Sequence, residues 1–143
     1  VAIIQDAGLR ERFEAARRGI VSGVNIMGFL AALAAYRDGQ SWLTEVLRKI
    51  EGNRDFLMEY VSSHLTGVKM AKPEGTFLAW LDCNGAGIPS NPSEFFLREA
   101  KVAMNDGCSF GRGGDGFVRL NFACSRAVLE EGLGRIKDTL MRL

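Results

Sequence analysis

The residue best placed to do chemistry in this chain is an arginine set inside an apolar, strand-like run, Gly116-Phe117-Val118-Arg119-Leu120-Asn121-Phe122. Val118, Leu120 and Phe122 alternate with Phe117, Arg119 and Asn121, the period of two expected of a β-strand. The first set is expected to face a core, which leaves Arg119 on the opposite face with Phe117 and Asn121. A guanidinium keeps its charge inside a protein, so a sheltered one needs an anion. Its planar fork suits a carboxylate, which it grips with two parallel hydrogen bonds. That carboxylate belongs either to an Asp or Glu of the protein, as a structural ion pair, or to a bound ligand.

Other residue types offer less. The glycine-rich stretch Gly111-Arg112-Gly113-Gly114-Asp115-Gly116 lacks the GxGxxG spacing and precedes a strand rather than a helix, so it reads as a connecting loop and not a phosphate cradle. His64 is the one histidine. It falls near the end of a long helical pattern, where a cation is favoured by the helix dipole, and no nucleophile nearby completes a triad. Cys83, Cys108 and Cys124 are widely spaced without a CxxC pair, against a zinc site or a disulfide framework and in favour of reduced thiols. Neither Cys108 nor Cys124 has the basic surroundings of a reactive thiolate. Arg126, after a Ser125 cap, reads as solvated. Gly75 reads as a turn glycine needing positive φ, and Phe77 and Trp80 as core residues on opposite faces of a strand.

Composition narrows the classes. Of 143 residues, 47% are hydrophobic, enough for a core and against disorder. The 18 basic and 17 acidic residues leave a net charge of +1, which argues against nucleic acid or an anionic membrane as partner. No apolar run is long enough to span a bilayer, and Ile26 to Ala35 reads as a buried helix.

The elements that must position Arg119 follow from period and punctuation. Val1 to Ile4 reads as a short strand. Asp6 to Arg18 reads as a helix with Leu9, Phe13 and Ala16 on one face, broken at Gly19 to Gly23. Asn25 can cap a second helix to about Arg37 with Ile26, Phe29, Leu30 and Leu33 buried, ended by Asp38-Gly39. A long third helix is expected from about Ser41 to His64, carrying Leu43, Val46, Leu47 and Ile50 at helical spacing and then Leu57, Tyr60 and Val61. After Gly67 the pattern alternates. Strands are expected at Val68 to Met70, Thr76 to Asp82 and Phe117 to Phe122. Asn91-Pro92-Ser93-Glu94 is a strong helix start, leading to a helix as far as about Lys101. Ser125 is expected to cap a last helix with Leu129, Leu133, Ile136 and Leu140 inward. The class is α+β.

Several segments together resemble one family. They are Lys72-Pro-Glu-Gly-Thr-Phe-Leu-Ala-Trp-Leu-Asp-Cys83, Asn105-Asp106-Gly107-Cys108-Ser109-Phe110-Gly111, Gly116 to Asn121, and Cys124-Ser125-Arg126. Their order and spacing resemble the C-terminal part of the class I/II aminotransferase superfamily of pyridoxal 5′-phosphate (PLP) enzymes. The branch they are most similar to is the cystathionine β-lyase type of carbon–sulfur lyase. The resemblance implies the C-terminal small domain of a fold-type I PLP-dependent transferase, reached through a long interdomain helix. Residues 1–40 would then be a remnant of the large domain with connecting helices, and 41–143 the interdomain helix and small domain. It also implies an edge strand at Val102 to Met104.

For function, the resemblance implies that Arg119 holds the substrate α-carboxylate, that Phe110 lines the pocket (core packing being the alternative), and that Gly75 lies near the pocket mouth. In the family the lysine that bonds covalently to PLP lies shortly before the segment matching Ala2-Ile3-Ile4. None of Lys49, Lys69, Lys72, Lys101 and Lys137 has that context. The expectation is therefore a C-terminal fragment of a cytoplasmic, homodimeric C–S β-lyase, with no catalytic residue and no metal ligand of its own. That enzyme would convert an L-cysteine S-conjugate such as cystathionine to pyruvate, ammonia and a thiol. A class I/II aminotransferase, or a non-catalytic regulatory module on the same scaffold, are the alternatives.

Overall fold

The computed structural model describes residues 2–20 and 22–143. The chain divides into two units, Val1–Leu43 and Thr44–Leu143.

In the first unit, Ala2 to Ile4 forms no strand, and Val1 of the expected strand lies outside the described residues. Helix α1 (Ala7–Arg17) starts where the Asp6 carboxylate accepts the Leu9 N–H at 2.6 Å. A turn follows at Arg18 to Ile20, and Val21 of the expected Gly19–Gly23 break is outside the described residues. Helix α2 (Ile26–Asp38) is capped by Asn25, whose Oδ1 accepts the Gly28 N–H at 2.8 Å, and it ends with the Gly39 N–H on the Ala35 carbonyl. Both caps satisfy N–H groups that the first turn of a helix leaves free. The expected burial of Ile26, Phe29, Leu30 and Leu33 is overturned, because no residue of α1 or α2 is buried. The sequence of α2 is apolar around nearly its whole circumference, so it holds no polar face to contrast with a covered one.

The second unit holds a core. Helix α3 (Gln40–His64) buries Asn53, Leu57 and Val61, while Leu43 and Leu47 stay exposed. Four antiparallel strands, β1 (Lys69–Met70), β2 (Leu78–Asp82), β3 (Asn105–Asp106) and β4 (Phe117–Asn121), lie in the order β1-β2-β4-β3. Strand β2 begins later than the expected Thr76, because Thr76 has φ of +64°. The positive φ expected of Gly75 therefore falls on its neighbour. Thr76 Oγ1 accepts the Leu78 N–H at 3.1 Å, so this residue closes the turn rather than opening the strand.

Helix α4 (Pro92–Phe95) starts as read, with Asn91 Oδ1 accepting from the Ser93 and Glu94 N–H groups. It widens into a π-helical segment, Phe96–Ala100, which closes on Lys101 in a left-handed conformation. The Val102 N–H then reaches back to the Phe96 carbonyl at 3.2 Å. Val102 thus spends its donor on the helix end, and the expected edge strand at Val102–Met104 is replaced by β3 just beyond it. Helix α5 (Arg126–Leu140) is capped by Ser125 and buries Leu129, Leu133, Ile136 and Thr139, with Leu140 half-buried.

Residues of α3, α4 and α5 share one buried cluster with Ala79 and Leu81 of β2, Val118 and Leu120 of β4, and Phe122. Asn53 fixes the long helix to the end of β4. Its Nδ2 donates to the carbonyls of Phe122 at 3.0 Å and Cys124 at 2.9 Å. A buried amide with its hydrogens both used costs little to desolvate.

Candidate functional site

The register of the sheet builds the site. Trp80 on β2 and Asn105 on β3 both lie directly opposite Arg119 on β4. Because side chains alternate along a strand, Ala79 and Leu81, and likewise Val118 and Leu120, are sent to the core. Trp80, Phe117 and Arg119 are sent to the other face. Arg119 Nη2 donates to Asn105 Oδ1 at 3.0 Å. The Phe110 ring lies against the guanidinium, its centroid 4.6 Å from Cζ. Trp80 meets Phe110 edge-on at 5.5 Å and stacks on Phe117 at 5.6 Å. Trp80 and Phe77, read as core, are instead 37% and 43% exposed. Phe110 is half exposed, which removes core packing as its role.

Arg119 Nε is buried without a hydrogen-bond partner. Among the described residues no carboxylate pairs with Arg119. The ion pairs present join residues at most four apart elsewhere on the chain, such as Arg54 with Asp55 and Arg135 with Glu131. The guanidinium is thus held by one neutral amide and one ring face, with most of its five N–H donors uncommitted. Such a group has hydrogen-bond donors left over that suit an anion.

The loop that presents Phe110 is tied at its base. The Asp106 carboxylate accepts Asn91 Nδ2–H at 3.0 Å and the Cys108 N–H at 3.1 Å. These bonds, the Asn91 one foremost, hold its pKa below the ordinary carboxylate range. A 3₁₀ turn, Gly107–Phe110, follows directly. Gly107 is required there, since a Cβ would meet the Gly114 carbonyl oxygen at 2.2 Å. The glycine-rich stretch after it is a loop as read. The Gly114 N–H turns back to the Gly111 carbonyl, and the Gly114 carbonyl accepts the Phe117 N–H that opens β4.

The family model for aminotransferase class I and II matches residues 2–136. The chain belongs to this family. Cystathionine β-lyase of Corynebacterium glutamicum is 44% identical over 118 residues, covering 82% of this chain and 31% of that protein. Cystathionine β-lyase PatB of Bacillus subtilis is 39% identical over 140 residues, covering 96% and 36%. The PLP-bound C–S lyase of Staphylococcus hominis superposes with a TM-score of 0.86 at 27% identity, covering 97% of this chain and 37% of that one. The chain spans about a third of the length of the curated relatives it matches.

In this member of the class I and II aminotransferase family the other sequence candidates are found in other surroundings than Arg119. Gly75 lines a separate cavity of about 120 Å³ with Leu47, Ile50, Pro73 and Phe122. His64 ends α3, edge-on to Tyr60 at 4.7 Å. Arg126, read as solvated, instead donates from Nη2 to the Gly52 carbonyl at 2.7 Å and covers the Phe56 ring, because the first turn of α5 lies beside α3. Cys83 is buried, and desolvation pushes its thiol up to about 12. The Cys108 thiol is also pushed up, by desolvation and then by Asp106. Neither is a thiolate at neutral pH. Among the described residues no cluster of metal-binding side chains occurs, and no helix is long and apolar enough to cross a membrane. Sequence reasoning missed Asn105 as a partner of Arg119. Only the strand register joins them, and an edge strand of two residues has too short a pattern to announce itself.

Proposed function

We propose that this chain supplies the substrate α-carboxylate site of a PLP-dependent C–S β-lyase, with Arg119 as the carboxylate anchor and Phe110 as the wall beside it. The observation that carries this reading is the uncommitted guanidinium: Arg119 is half-buried, bonded to a neutral amide, and paired with no acid among the described residues. The names of the relatives at 44% and 39% identity favour a lyase over an aminotransferase. The carboxylate grip serves both reactions equally, so the product separates them: pyruvate, ammonia and a thiol from cystathionine in one case, transfer of the amino group to a keto acid in the other.

The donor set fits the substrate rather than the cofactor's phosphate. It offers one two-pronged cation, while in the glycine loop the Gly111 and Gly114 N–H groups are spent on the loop's own turns. PLP, when bound, supplies the electron-withdrawing system that lets a proton leave the substrate α-carbon. The part of this chain is positional. A carboxylate on Arg119 fixes the direction of the neighbouring Cα–H bond. The Phe110 ring shields one face of the guanidinium from water and so strengthens that grip. None of Lys49, Lys69, Lys72, Lys101 and Lys137 has the sequence context of the lysine that bonds to PLP in the family, so this reading puts the covalent anchor of the cofactor elsewhere in the enzyme. The same reading assigns residues 1–40 to the large domain and 41–143 to the interdomain helix and small domain, and makes the enzyme a cytoplasmic homodimer. The apolar surface of α2 supports a covered position for that helix.

The test is made in a PLP-loaded enzyme that carries this segment. Arg119→Lys keeps the charge but loses the planar fork. Loss of a charge-assisted contact of roughly 1.5–3 kcal/mol lowers kcat/KM toward cystathionine by at least about tenfold, and Arg119→Ala lowers it further. An Arg119→Ala enzyme with wild-type kinetics would show that Arg119 is not the anchor.

A further inference from the structure

We infer that Asn105 is a positioning residue for the carboxylate site, and that its neutrality is what keeps Arg119 available to a ligand. This inference rests on the proposed carboxylate role of Arg119. Trp80, Arg119 and Asn105 form one row straight across three strands. The row holds the guanidinium from two directions. Asn105 Oδ1 fixes its Nη2 at 3.0 Å, and Phe110, itself braced edge-on by Trp80, packs on its face. A long, flexible side chain is thereby placed before the ligand arrives, and less ordering remains to be done on binding.

The chemistry of the brace matters as much as its position. A carboxylate at this site would fix Nη2 equally well by geometry. It would also neutralise the guanidinium and stand as a permanent competitor to the ligand's carboxylate. An amide accepts the same hydrogen bond and leaves the positive charge uncompensated. The nearest acid in sequence, Asp106, is the next residue of β3 and is engaged with Asn91 and the Cys108 N–H instead. Strand alternation sends it away from Arg119 and leaves the amide as the neighbour. A one-residue slip of β3 would exchange the two.

The replacement that isolates charge from shape is Asn105→Asp, at an exposed position where the isosteric change leaves the core untouched. The first measurement uses the 143-residue chain itself. The ¹⁵N–¹H signal of Arg119 Nε is followed while acetate is added, with acetamide as the neutral control. The expected result is a saturable shift with acetate and none with acetamide in the wild-type chain. In Asn105→Asp the acetate affinity falls at least tenfold, and in Asn105→Ser it falls less. The second measurement uses a PLP-loaded enzyme carrying the segment. There Asn105→Asp raises KM for cystathionine at least tenfold with kcat little changed, the pattern of lost ground-state binding. If Asn105→Asp binds acetate as the wild type does while Arg119 still responds, the inference about Asn105 is overturned and the carboxylate reading stands. If Arg119 fails to respond to acetate in the wild-type chain, the carboxylate reading falls and takes this inference with it.

Discussion

The two faces of the β2–β4 pair are built from alternate residues of the same short strands, yet they are finished in opposite ways. On one face Ala79, Leu81, Val118 and Leu120 are sealed under α3, α4 and α5. On the other, Trp80 stacks on Phe117 and meets Phe110 edge-on, and Arg119 meets Phe110 and Asn105. The sealed face gains from every apolar contact and pairs its few polar atoms, as Asn53 shows. The open face keeps a charged group short of partners, an arrangement that stabilises nothing by itself and becomes favourable only when an anion arrives. On the proposed reading, stability and recognition are thus separated by a single residue step along each strand.

The strongest way to break this contrast is on the sealed face. Phe122 is fully buried at the end of β4, and its N–H bonds to the Phe77 carbonyl. Phe122→Ala is expected to cost about 3–5 kcal/mol, read from urea unfolding. A cost near that of a surface change would mean that the helices, not the sheet, carry the core.

Next comes Asn53. Its amide links α3 to the carbonyls of Phe122 and Cys124. Asn53→Ala leaves both carbonyls without their donor, so about 1–3 kcal/mol should be lost in the same unfolding experiment. An unchanged midpoint would show water taking over both bonds.

A smaller effect is expected from acid at the base of the Phe110 loop. The Asp106 carboxyl is held below its ordinary range by Asn91 and the Cys108 N–H. Its contribution is therefore present above the unfolded-state value and is lost as pH falls through the folded one. Below about pH 4 the wild-type thermal midpoint should drop more steeply than that of Asp106→Asn. Parallel curves would mean that the carboxylate does not tie the loop.

The smallest stability change is expected at the residue with the largest proposed functional one. Arg119→Ala removes one hydrogen bond but also an unpartnered buried Nε, so unfolding stability should move by only about 0.5 kcal/mol. A loss of several kcal/mol would turn Arg119 into a structural residue and erase the contrast between the faces.

Much of the sealed face could be read in the sequence, because period is a strong signal. The β4 alternation, the Leu129–Leu133–Ile136 stripe and the caps at Asn25, Asn91 and Ser125 are local patterns with local causes. Arg119 was legible for the same reason, as a charge in an apolar alternation. What surrounds it was not. Asn105 and Trp80 reach it through register, and Phe110 through a turn, and no spacing along the chain encodes either. Helix α2 shows the opposite failure. Its apolar residues were plain to see, but hydrophobicity states that a surface seeks cover without stating that the cover is present. At Thr76 a glycine rule misled, since the left-handed turn is taken by the residue after Gly75 and held by that residue's own hydroxyl.

The close approach of Gly107 to Gly114 has a use in protein engineering. The two backbones touch where the Phe110 loop leaves and rejoins the sheet, so the loop has a closed neck made of main chain. Beyond it, Gly111-Arg112-Gly113 forms an exposed tip, with open space around both glycines. A peptide tag or a longer loop inserted at that tip would start and finish at fixed points, and the strain of accommodating it would stop at the neck. The same residues inserted a few positions earlier, between Asp106 and Gly107, would prise the neck apart and carry Phe110 off the guanidinium. The tip is therefore the place to attach a reporter that senses the site without disturbing it.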